Sequence, residues 1–460
     1  MRTKALTQPA VSIIIPAHNA EEFIARALDD IRQQSLQDFE VWLVNDGSTD
    51  KTQEICEHYA RTDSRFHVID GPRPGGISPA RNAGLAQACG SWVIFLDADD
   101  RFDPSLVDTL YQAGQHFQAD VVITGYEVRN WLSPEQVTGT FLPRLKPLGS
   151  PLAATTEAHL EPVAFTPAQV ADHLFQITTG AVWNKMFRRE YLTCNHYVFQ
   201  PVDPREDTLF TFSAMAQAGR IAVVNKPLVT YYTGRSTSHL AQNRHRWENI
   251  CQALDALWDC LEVGPNQGLL YTQSFRILAT DQVRMMFSRL GNYADFLEMY
   301  ARVRQLLHSC SVTESTLSSL PKGLRDFTGA VLTKSSEEWL FDRQAQLTRL
   351  LAASTQRYEE ASSQVQQDRE DIAALTKRLR QAEDSLADAT HRLADTDHCL
   401  TDTAQRLAET SQELADSRQA LASLHESWSL RCGQALTRSL MAPIRLWRKV
   451  RLRISRSSGA

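Results

Sequence analysis

The chain has 460 residues, of which 43% are hydrophobic and 22% charged, and its formal net charge is −6. This length suits two or three domains with buried cores, and the charge argues against a nucleic-acid-binding protein as a whole. The eight cysteines show neither a C-x-x-C pair nor zinc-ligand spacing, which predicts free thiols in a reducing cytosol; disulfides in a secreted protein are the alternative. The apolar run Val11–Ile15 is too short for a signal peptide, and no run reaches the ~20 residues of a membrane span, so we expect a soluble or peripheral protein.

The first hundred residues, after a short N-terminal tail (1–10), alternate short apolar runs with amphipathic helical patterns. This alternation predicts an α/β fold, in which a mainly parallel sheet is covered by helices and the ligand lies at the carboxyl ends of the strands. The predicted strands are Val11–Ile15, Phe39–Val44, Phe66–Ile69 and Trp92–Leu96, and the predicted helices are Glu21–Gln34, Lys51–Ala60 and Ser78–Ala88.

The middle of the chain is less regular. Residues Pro134–Pro167 are rich in Pro, Thr and Gly, and we interpret them as an excursion near the active-site side that serves as a lid or an acceptor loop. A helical pattern follows at Pro167–Ile177. Further helical patterns, such as Trp247–Leu261 and Ser274–Leu290, predict a helical subdomain over residues 241–336.

Residues 337–428 have a different composition, in which Gln, Asp, Arg, Ala and Leu dominate. Leucines at strict seven-residue intervals predict a long coiled coil and therefore a parallel homo-oligomer. The companion heptad positions are mostly small or polar, so a single solvated helix is the alternative. The repeating leucines are Leu379, Leu386, Leu393, Leu400, Leu407, Leu414 and Leu421.

Polar motifs follow the predicted strands. Pro16–Asn19 (PAHN) comes after the first strand, Asn45–Asp50 (NDGSTD) after the second, and Asp97–Asp100 (DADD) after the fourth, with Ala80–Gly84 (ARNAG) between them. In this order the motifs resemble the P-x-x-N, V-x-D-G-S-x-D, A-R-N-x-G and L-D-x-D-D signature of family 2 glycosyltransferases of the GT-A fold. The resemblance covers residues 11–240 and implies a GT-A catalytic domain there, of the bacterial cell-surface polysaccharide type.

The resemblance implies a nucleotide-sugar site. Asp46 would read the ring N–H of uracil; the alternative is an ordinary turn at Asn45–Ser48. Arg81 would bind the diphosphate, to which an arginine and a helix N-terminus are both suited; a surface arginine that caps the helix is the alternative. Asp97 would lie near the ribose or the metal. Residues that frame the base complete the site: Pro16, Ala17 and Asn19, with His18 stacking on the base.

The acidic motif after the fourth strand predicts a metal site. Carboxylates are the hard oxygen ligands that Mn²⁺ or Mg²⁺ prefers, and a bound cation neutralises charge on a leaving nucleoside diphosphate. The resemblance makes Asp99 the main ligand, with Asp97 beside it. A solvated acidic turn is the alternative.

The later pair Glu206-Asp207 stands before a predicted helix. Inverting transfer needs a carboxylate that removes the proton of the acceptor hydroxyl. The resemblance assigns this role to Asp207 and a supporting role to Glu206. The alternative is an acidic pair that only complements the helix dipole.

Further positions resemble elements on the acceptor side of the family: Trp183, Asn184 and Lys185 (WNK), and Arg235 in YYTGRSTSH, where Tyr231 and Tyr232 also stand. The latter stretch departs from the family order, so individual roles stay open there. His239 is interpreted as a surface residue rather than as a metal ligand.

The last residues, 429–460, form a basic amphipathic tail with Trp447 among arginines. Such a segment suits an anionic membrane surface, and a basic tail that binds another partner or nothing is the alternative. We therefore expect a cytoplasmic enzyme, peripheral on the inner face of the cell membrane, with no nucleic acid as partner.

Together with the resemblance, these features predict a glycosyltransferase of the hexosyl or N-acetylhexosaminyl type, which uses a UDP-sugar and a saccharide or lipid-linked acceptor. That the transfer is inverting is implied by the resemblance alone. A nucleotidyltransferase or a dinucleotide-binding dehydrogenase would need a glycine-rich phosphate loop after the first strand, where PAHNAEEF stands. A coiled-coil assembly scaffold with a vestigial transferase domain is the alternative from another class.

Overall fold

The computed structural model describes residues 8–72, 75–144, 161–201, 205–234, 247–263, 270–287, 293–389, 405–406 and 408–419. The chain divides into two compact units, Met1–Thr333 and Lys334–Ala460.

A single sheet organises the first unit. Its order along the hydrogen-bonded path is β3-β2-β1-β4-β9-β6-β10-β5, with β7 paired to β6 and β8 to β10. The strands are β1 (Val11–Ala17), β2 (Phe39–Asn45), β3 (Phe66–Asp70), β4 (Trp92–Phe95), β5 (Arg101–Phe102), β6 (Val121–Asn130), β7 (Ser133–Phe141), β8 (Val163–Phe165), β9 (Lys185–Arg188) and β10 (Ile221–Thr233).

The directions of the strands determine which strand ends lie at the same edge of the sheet. β1 runs parallel to β2 and β4, and β2 runs parallel to β3. β9 is antiparallel to both β4 and β6, so β6 and its parallel partner β10 point the same way as β4. The carboxyl ends of β1, β2, β4, β6 and β10 therefore meet at one edge.

Helices flank this sheet and confirm the predicted α/β architecture. They are α1 (Ile24–Arg32), α2 (Thr52–Thr62), α3 (Ile77–Gln87), α4 (Leu106–Phe117), α5 (Arg189–Cys194) and α6 (Glu206–Gln217), with a 3-10 helix at Pro167–Gln176. β1 and β4 are buried on both faces, as continuous apolar runs such as Val11–Ile15 require in a helix-covered sheet. The predicted helix Glu21–Gln34 is longer than α1, because the chain first turns at Ala20–Phe23.

The region predicted as an irregular excursion, 134–167, contains strands at both ends. Ser133–Phe141 is β7, which pairs antiparallel with β6, and Val163–Phe165 is β8. β7 is exposed along most of its length, so it has no buried face that would produce an apolar alternation in the sequence. Residues 145–160 of the excursion lie outside the described residues.

A helical region follows the sheet in the first unit, as predicted. It contains α7 (Trp247–Val263), α8 (Thr272–Phe287), α9 (Tyr293–Ser309), a 3-10 helix at Glu314–Ser319 and α10 (Lys322–Thr333). The 3-10 helix at Pro167–Gln176 joins it to the sheet, since the Phe175 N–H donates to Ser274 Oγ at 2.8 Å and Gln176 Nε2 donates to the Ser274 carbonyl at 3.0 Å.

The second unit contains the 54-residue helix α11 (Ser336–Ala389), and residues 408–419 are also helical. Most of the heptad leucines, as well as the basic tail 429–460, lie where the structure describes no side chain. The coiled coil and the oligomer therefore stay predictions. Among the residues that the structure describes, no helix combines the length and the apolarity of a membrane span.

Candidate active site

The turns after β1 and β2 lie side by side and are joined by hydrogen bonds. The Asp46 N–H donates to the Ala17 carbonyl at 2.9 Å, and His18 Nδ1 lies 2.8 Å from the Asp46 carbonyl, so Nδ1 is the protonated nitrogen. Asn19 adopts φ 47° and its Oδ1 accepts the Thr49 N–H at 2.8 Å. Ala17, Asn19 and Asp46, predicted as part of one nucleotide site, are thus brought together, and Pro16 precedes them in β1.

The carboxylate of Asp46 is oriented by a glycine loop that comes after β3. The Gly76 N–H donates to Asp46 Oδ2 at 2.7 Å. A Cβ at Gly75 would overlap with Oδ1 and lie 2.9 Å from Cγ, and one at Gly71 would lie 3.1 Å from Oδ1. This contact was missed by the sequence analysis, although the glycines of PRPGG (72–76) mark a loop where backbone approaches closely.

The three acidic residues after β4 form a candidate cation site. Asp97, Asp99 and Asp100 each offer a carboxylate oxygen, and these oxygens lie within 4.8 Å of one another. Asp100 is 1% exposed, and its Oδ1 accepts the Tyr232 N–H from β10 at 3.2 Å. Asp97 and Asp99 are half-buried. A set of hard oxygen donors at a strand end fits Mn²⁺ or Mg²⁺, with Asp97 and Asp99 as the more accessible ligands.

Arg81 lies in α3 and joins two parts of the site. Its Nη1 donates to Glu206 Oε1 at 2.7 Å and its Nη2 donates to Asp97 Oδ1 at 2.9 Å. The arginine side chain is 3% exposed, and those of Glu206 and Asp97 are 7% and 23% exposed. Burial lowers the pKa of the Arg81 guanidinium, but Asp97, Glu206 and Asp207 more than offset this, so its pKa is raised overall.

Glu206 and Asp207 open α6 and differ in their surroundings. Glu206 is buried, and burial together with the Asp207 charge raises the pKa of its carboxyl, while Arg81 opposes the shift. Asp207 is half-buried, and its Oδ1 accepts a bond from the Thr208 hydroxyl at 3.3 Å. Arg205, directly before the pair, adopts φ 122°, a conformation that costs free energy for a residue with a side chain. Asp207 is therefore the more accessible of the two carboxylates.

The W-N-K residues are buried beside the acid pair. Lys185 Nζ donates to the carbonyls of Thr179 and Ala181 and to Asn184 Oδ1, at 2.9, 2.6 and 2.7 Å. Burial lowers the pKa of the Lys185 amine to about 7, and Asp207 opposes the shift. Gly180 lies between the two residues whose carbonyls bind Lys185. It packs closely against α6, since a Cβ added at Gly180 would lie only 2.8 Å from Thr208 Oγ1.

Trp183, which the sequence resemblance places on the acceptor side, packs against two tyrosines. Trp183 stacks on Tyr231 with ring centroids 5.3 Å apart and meets Tyr126 edge-on at 4.8 Å. Trp183 and Asn184 are 7% and 1% exposed, and Lys185 is also buried, so these three side chains offer little surface to a ligand. Arg235 and His239 lie outside the described residues.

Comparison with known proteins identifies the sheet-containing part of the first unit. Residues 12–194 match the family described as Glycosyl transferase family 2. Residues 12–194 therefore carry a family 2 glycosyltransferase domain. The match ends before Glu206 and Asp207, so their roles rest on geometry and on the sequence resemblance.

Curated relatives of the family 2 domain are glycosyltransferases by name. The uncharacterized glycosyltransferase EpsJ of Bacillus subtilis is 31% identical over 229 residues, which cover 48% of this chain and 61% of that protein. The cholesterol galactosyltransferase of Borreliella burgdorferi is 29% identical over 222 residues, covering 48% and 60%. The chain thus spans about three fifths of the length of these relatives.

Solved structures share the fold. S. aureus TarS 1–349 in complex with UDP superposes with a TM-score of 0.54 at 19% identity, covering 72% of this chain and 88% of that one. At this identity the likeness shows a GT-A-like fold for the family 2 domain.

Proposed function

We propose that the chain is an inverting, metal-dependent glycosyltransferase that moves a hexose or N-acetylhexosamine from a UDP-sugar to a saccharide or lipid-linked acceptor. The observation that carries this proposal is the meeting of three groups at one sheet edge: the oriented carboxylate of Asp46, the acidic cluster after β4, and the acid pair at the start of α6. A family 2 domain in residues 12–194 supports it.

Each group has a part in the proposed reaction. Asp46 accepts the ring N–H of uracil, and Asp97 and Asp99 hold a divalent cation. When bound, that cation neutralises charge on the departing diphosphate. Asp207 accepts the proton of the acceptor hydroxyl. The hydroxyl oxygen bonds to the anomeric carbon, and the bond from that carbon to the diphosphate breaks.

The biological setting is also part of the proposal. The relative named as a cholesterol galactosyltransferase acts, by its name, on a lipid, which supports a lipid-linked acceptor. We propose synthesis of cell-surface polysaccharide or lipopolysaccharide, at the cytoplasmic face of the membrane, with the basic tail 429–460 on anionic lipid.

Isothermal titration calorimetry tests the donor class. The full chain is titrated with UDP, GDP, CDP and dTDP, each with and without Mn²⁺, and the series is repeated on Asp99→Ala. We expect Mn²⁺-dependent binding of UDP that weakens at least tenfold in Asp99→Ala. Asp38→Ala, an exposed aspartate before β2, is the matched control and should bind like the wild type.

Binding of none of the nucleotides would overturn the proposal and favour the assembly scaffold with a vestigial domain. Binding of another nucleotide would overturn the UDP-sugar. Where UDP binds, NMR of the anomeric proton in the transfer product tests inversion, because a product with the donor's own anomeric configuration contradicts it.

A further inference from the structure

Helix α3 docks the chain segment that leads to the acid pair. Asn82 Nδ2 donates to the Phe199 carbonyl, and the Phe199 N–H donates back to Asn82 Oδ1, both at 2.8 Å. Ser78 Oγ donates to the Gln200 carbonyl at 2.8 Å. Phe199 also lies beneath Arg81, with the guanidinium carbon 5.3 Å from the ring centroid. The described residues on both sides of 202–204 are therefore anchored on α3, at Phe199–Gln200 and at Glu206.

Helix α3 itself packs closely on the sheet. A Cβ at Gly84 would lie 2.5 Å from Ile14 Cγ2 and 3.2 Å from Val44 Cγ2, so the helix packs closely on β1 and β2. Gly84 lies three residues after Arg81, on the same face of the helix. The Arg81 side chain thus extends from a fixed point between the donor half of the site and the acid pair.

We propose that Arg81 is a positioning residue: it ties the carboxylate of Glu206 to that of Asp97, and so sets where Asp207 lies relative to the donor. This inference rests on the proposed function. It differs from direct binding of the diphosphate by Arg81, because both terminal nitrogens already donate to carboxylates and the side chain is 3% exposed. A group so enclosed presents little surface to a ligand that binds at the exposed sheet edge.

The two carboxylates that Arg81 binds, Asp97 and Glu206, explain why an arginine is needed at this position. A planar guanidinium can serve two carboxylates at once through separate N–H groups, whereas the ammonium of a lysine is a point charge on a flexible stem. Loss of Arg81 would leave the buried Glu206 carboxylate without a cationic partner and with the Arg205 N–H as its donor, at 3.0 Å, which is strongly unfavourable. The start of α6, and Asp207 with it, would then shift.

The UDP-to-uridine affinity ratio distinguishes the two roles without requiring turnover. Titrations in Mn²⁺ compare wild type, Arg81→Lys and Glu206→Gln, with Arg65→Lys as control, because Arg65 forms a half-buried ion pair with Asp63 away from the site. We expect the ratio to stay within threefold in all variants. A tenfold or larger loss of UDP affinity in Arg81→Lys, with unchanged uridine affinity, would overturn the proposal in favour of direct diphosphate contact.

Measurement of turnover is the second test of the proposed role of Arg81. Release of UDP from UDP-glucose and UDP-N-acetylglucosamine is measured with water as acceptor. Asp207 then takes a proton from water, the water oxygen bonds to the anomeric carbon, and the bond from that carbon to the diphosphate breaks to release UDP. We expect Arg81→Lys and Glu206→Gln each to lower kcat about a hundredfold with KM nearly unchanged. The double variant should lose little more than either single one, since coupled residues are not additive.

Unchanged kcat in Arg81→Lys, or additive losses in the double variant, would overturn the inference while leaving the proposed function intact. A wild-type chain that binds no nucleotide would overturn the proposed function, and this inference would fall with it. Circular dichroism of each variant guards against misfolding, and Glu206→Gln keeps the test open if Arg81→Lys does not fold.

Discussion

The two carboxylate oxygens of Asp46 lie against two glycines that follow β3, Gly75 and Gly76. One oxygen accepts the Gly76 N–H, and the other faces the position that a Gly75 side chain would occupy. We predict that this orientation prepares Asp46 to accept the ring N–H of a base without first losing its own rotational freedom. On this prediction the glycines contribute to nucleotide binding even though they offer no side chain.

Replacement of Gly75 by alanine should weaken nucleotide binding and leave the fold intact. The new Cβ would overlap with Asp46 Oδ1, and the end of a flexible side chain moves more easily than the backbone does, so the carboxylate must turn away. We expect the affinity for UDP in Mn²⁺ to fall at least tenfold, about 1.4 kcal/mol, measured by calorimetry.

Two further glycines calibrate this prediction. Gly71→Ala should have a smaller effect, because its Cβ would lie 3.1 Å from Oδ1. Gly323→Ala should have none, since no described atom lies within 4 Å of its Cβ position. Equal UDP affinities of Gly75→Ala and wild type would show that the glycine loop does not orient Asp46.

Some site residues were predictable from the sequence and others were not. Asp46, Asp97 and Asp99 stand directly after apolar strands, so a local pattern predicts their place at the sheet edge. The bond from Arg81 to Glu206 joins residues 125 positions apart, and no local pattern predicts it. The burial of Lys185 was likewise not predictable from the sequence, because a lysine is rarely buried.

At the scale of elements, strands buried on both faces were the easiest to predict. β1 and β4 consist almost entirely of buried apolar residues. β9 was missed, because its four residues, KMFR, are too few for a pattern and begin and end with a charged residue. β7 was missed because it is exposed. The sequence analysis thus predicted β1 to β4 and not the other half of the sheet, β5 to β10, of which β6 and β10 also contain buried apolar runs.

Close contact between α4 and β4 provides a test of packing. A Cβ at Gly114 would lie 2.6 Å from Trp92 Cη2, and Trp92 is 2% exposed. Overpacking of a filled core costs about 1–3 kcal/mol, so Gly114→Ala should lower the thermal unfolding midpoint by several degrees. Near-ultraviolet circular dichroism, which reports on buried tryptophan, measures the transition.

Gly323→Ala is the matched control for this substitution as well. Gly323 lies in α10 and is exposed, where alanine favours the helix by up to ~1 kcal/mol. Its midpoint should therefore stay the same or rise slightly. A Gly114→Ala midpoint that matches wild type would mean that α4 moves away from Trp92 at little cost.

At the scale of the whole molecule, the two units differ in how their side chains are buried. The first unit has an extensive apolar core around the sheet. In α11, large side chains are exposed: Phe341 by 73%, Leu375 by 51% and Tyr358 by 37%. A helix of 54 residues is about 80 Å long, and most of the stability of a helix in water comes from packing of an apolar face. The coiled coil stays a prediction, in which the heptad leucines would provide such a face for another copy of the chain.

Charged residues at heptad positions should therefore dissociate the protein without harming the nucleotide site. We expect the full chain to be an oligomer by light scattering, and the triple variant Leu379→Asp, Leu386→Asp, Leu414→Asp to have the mass of a single chain. An aspartate in an apolar helix seam would be buried without a partner, which strongly disfavours association. Affinity for UDP in Mn²⁺ should change by less than twofold, because the site residues belong to the first unit.

The control variant, Gln364→Asp with Gln366→Asp, changes exposed positions of α11 and should leave the oligomer intact. A monomeric wild-type chain would contradict the coiled coil, and loss of UDP binding together with the oligomer would make association a requirement of the site.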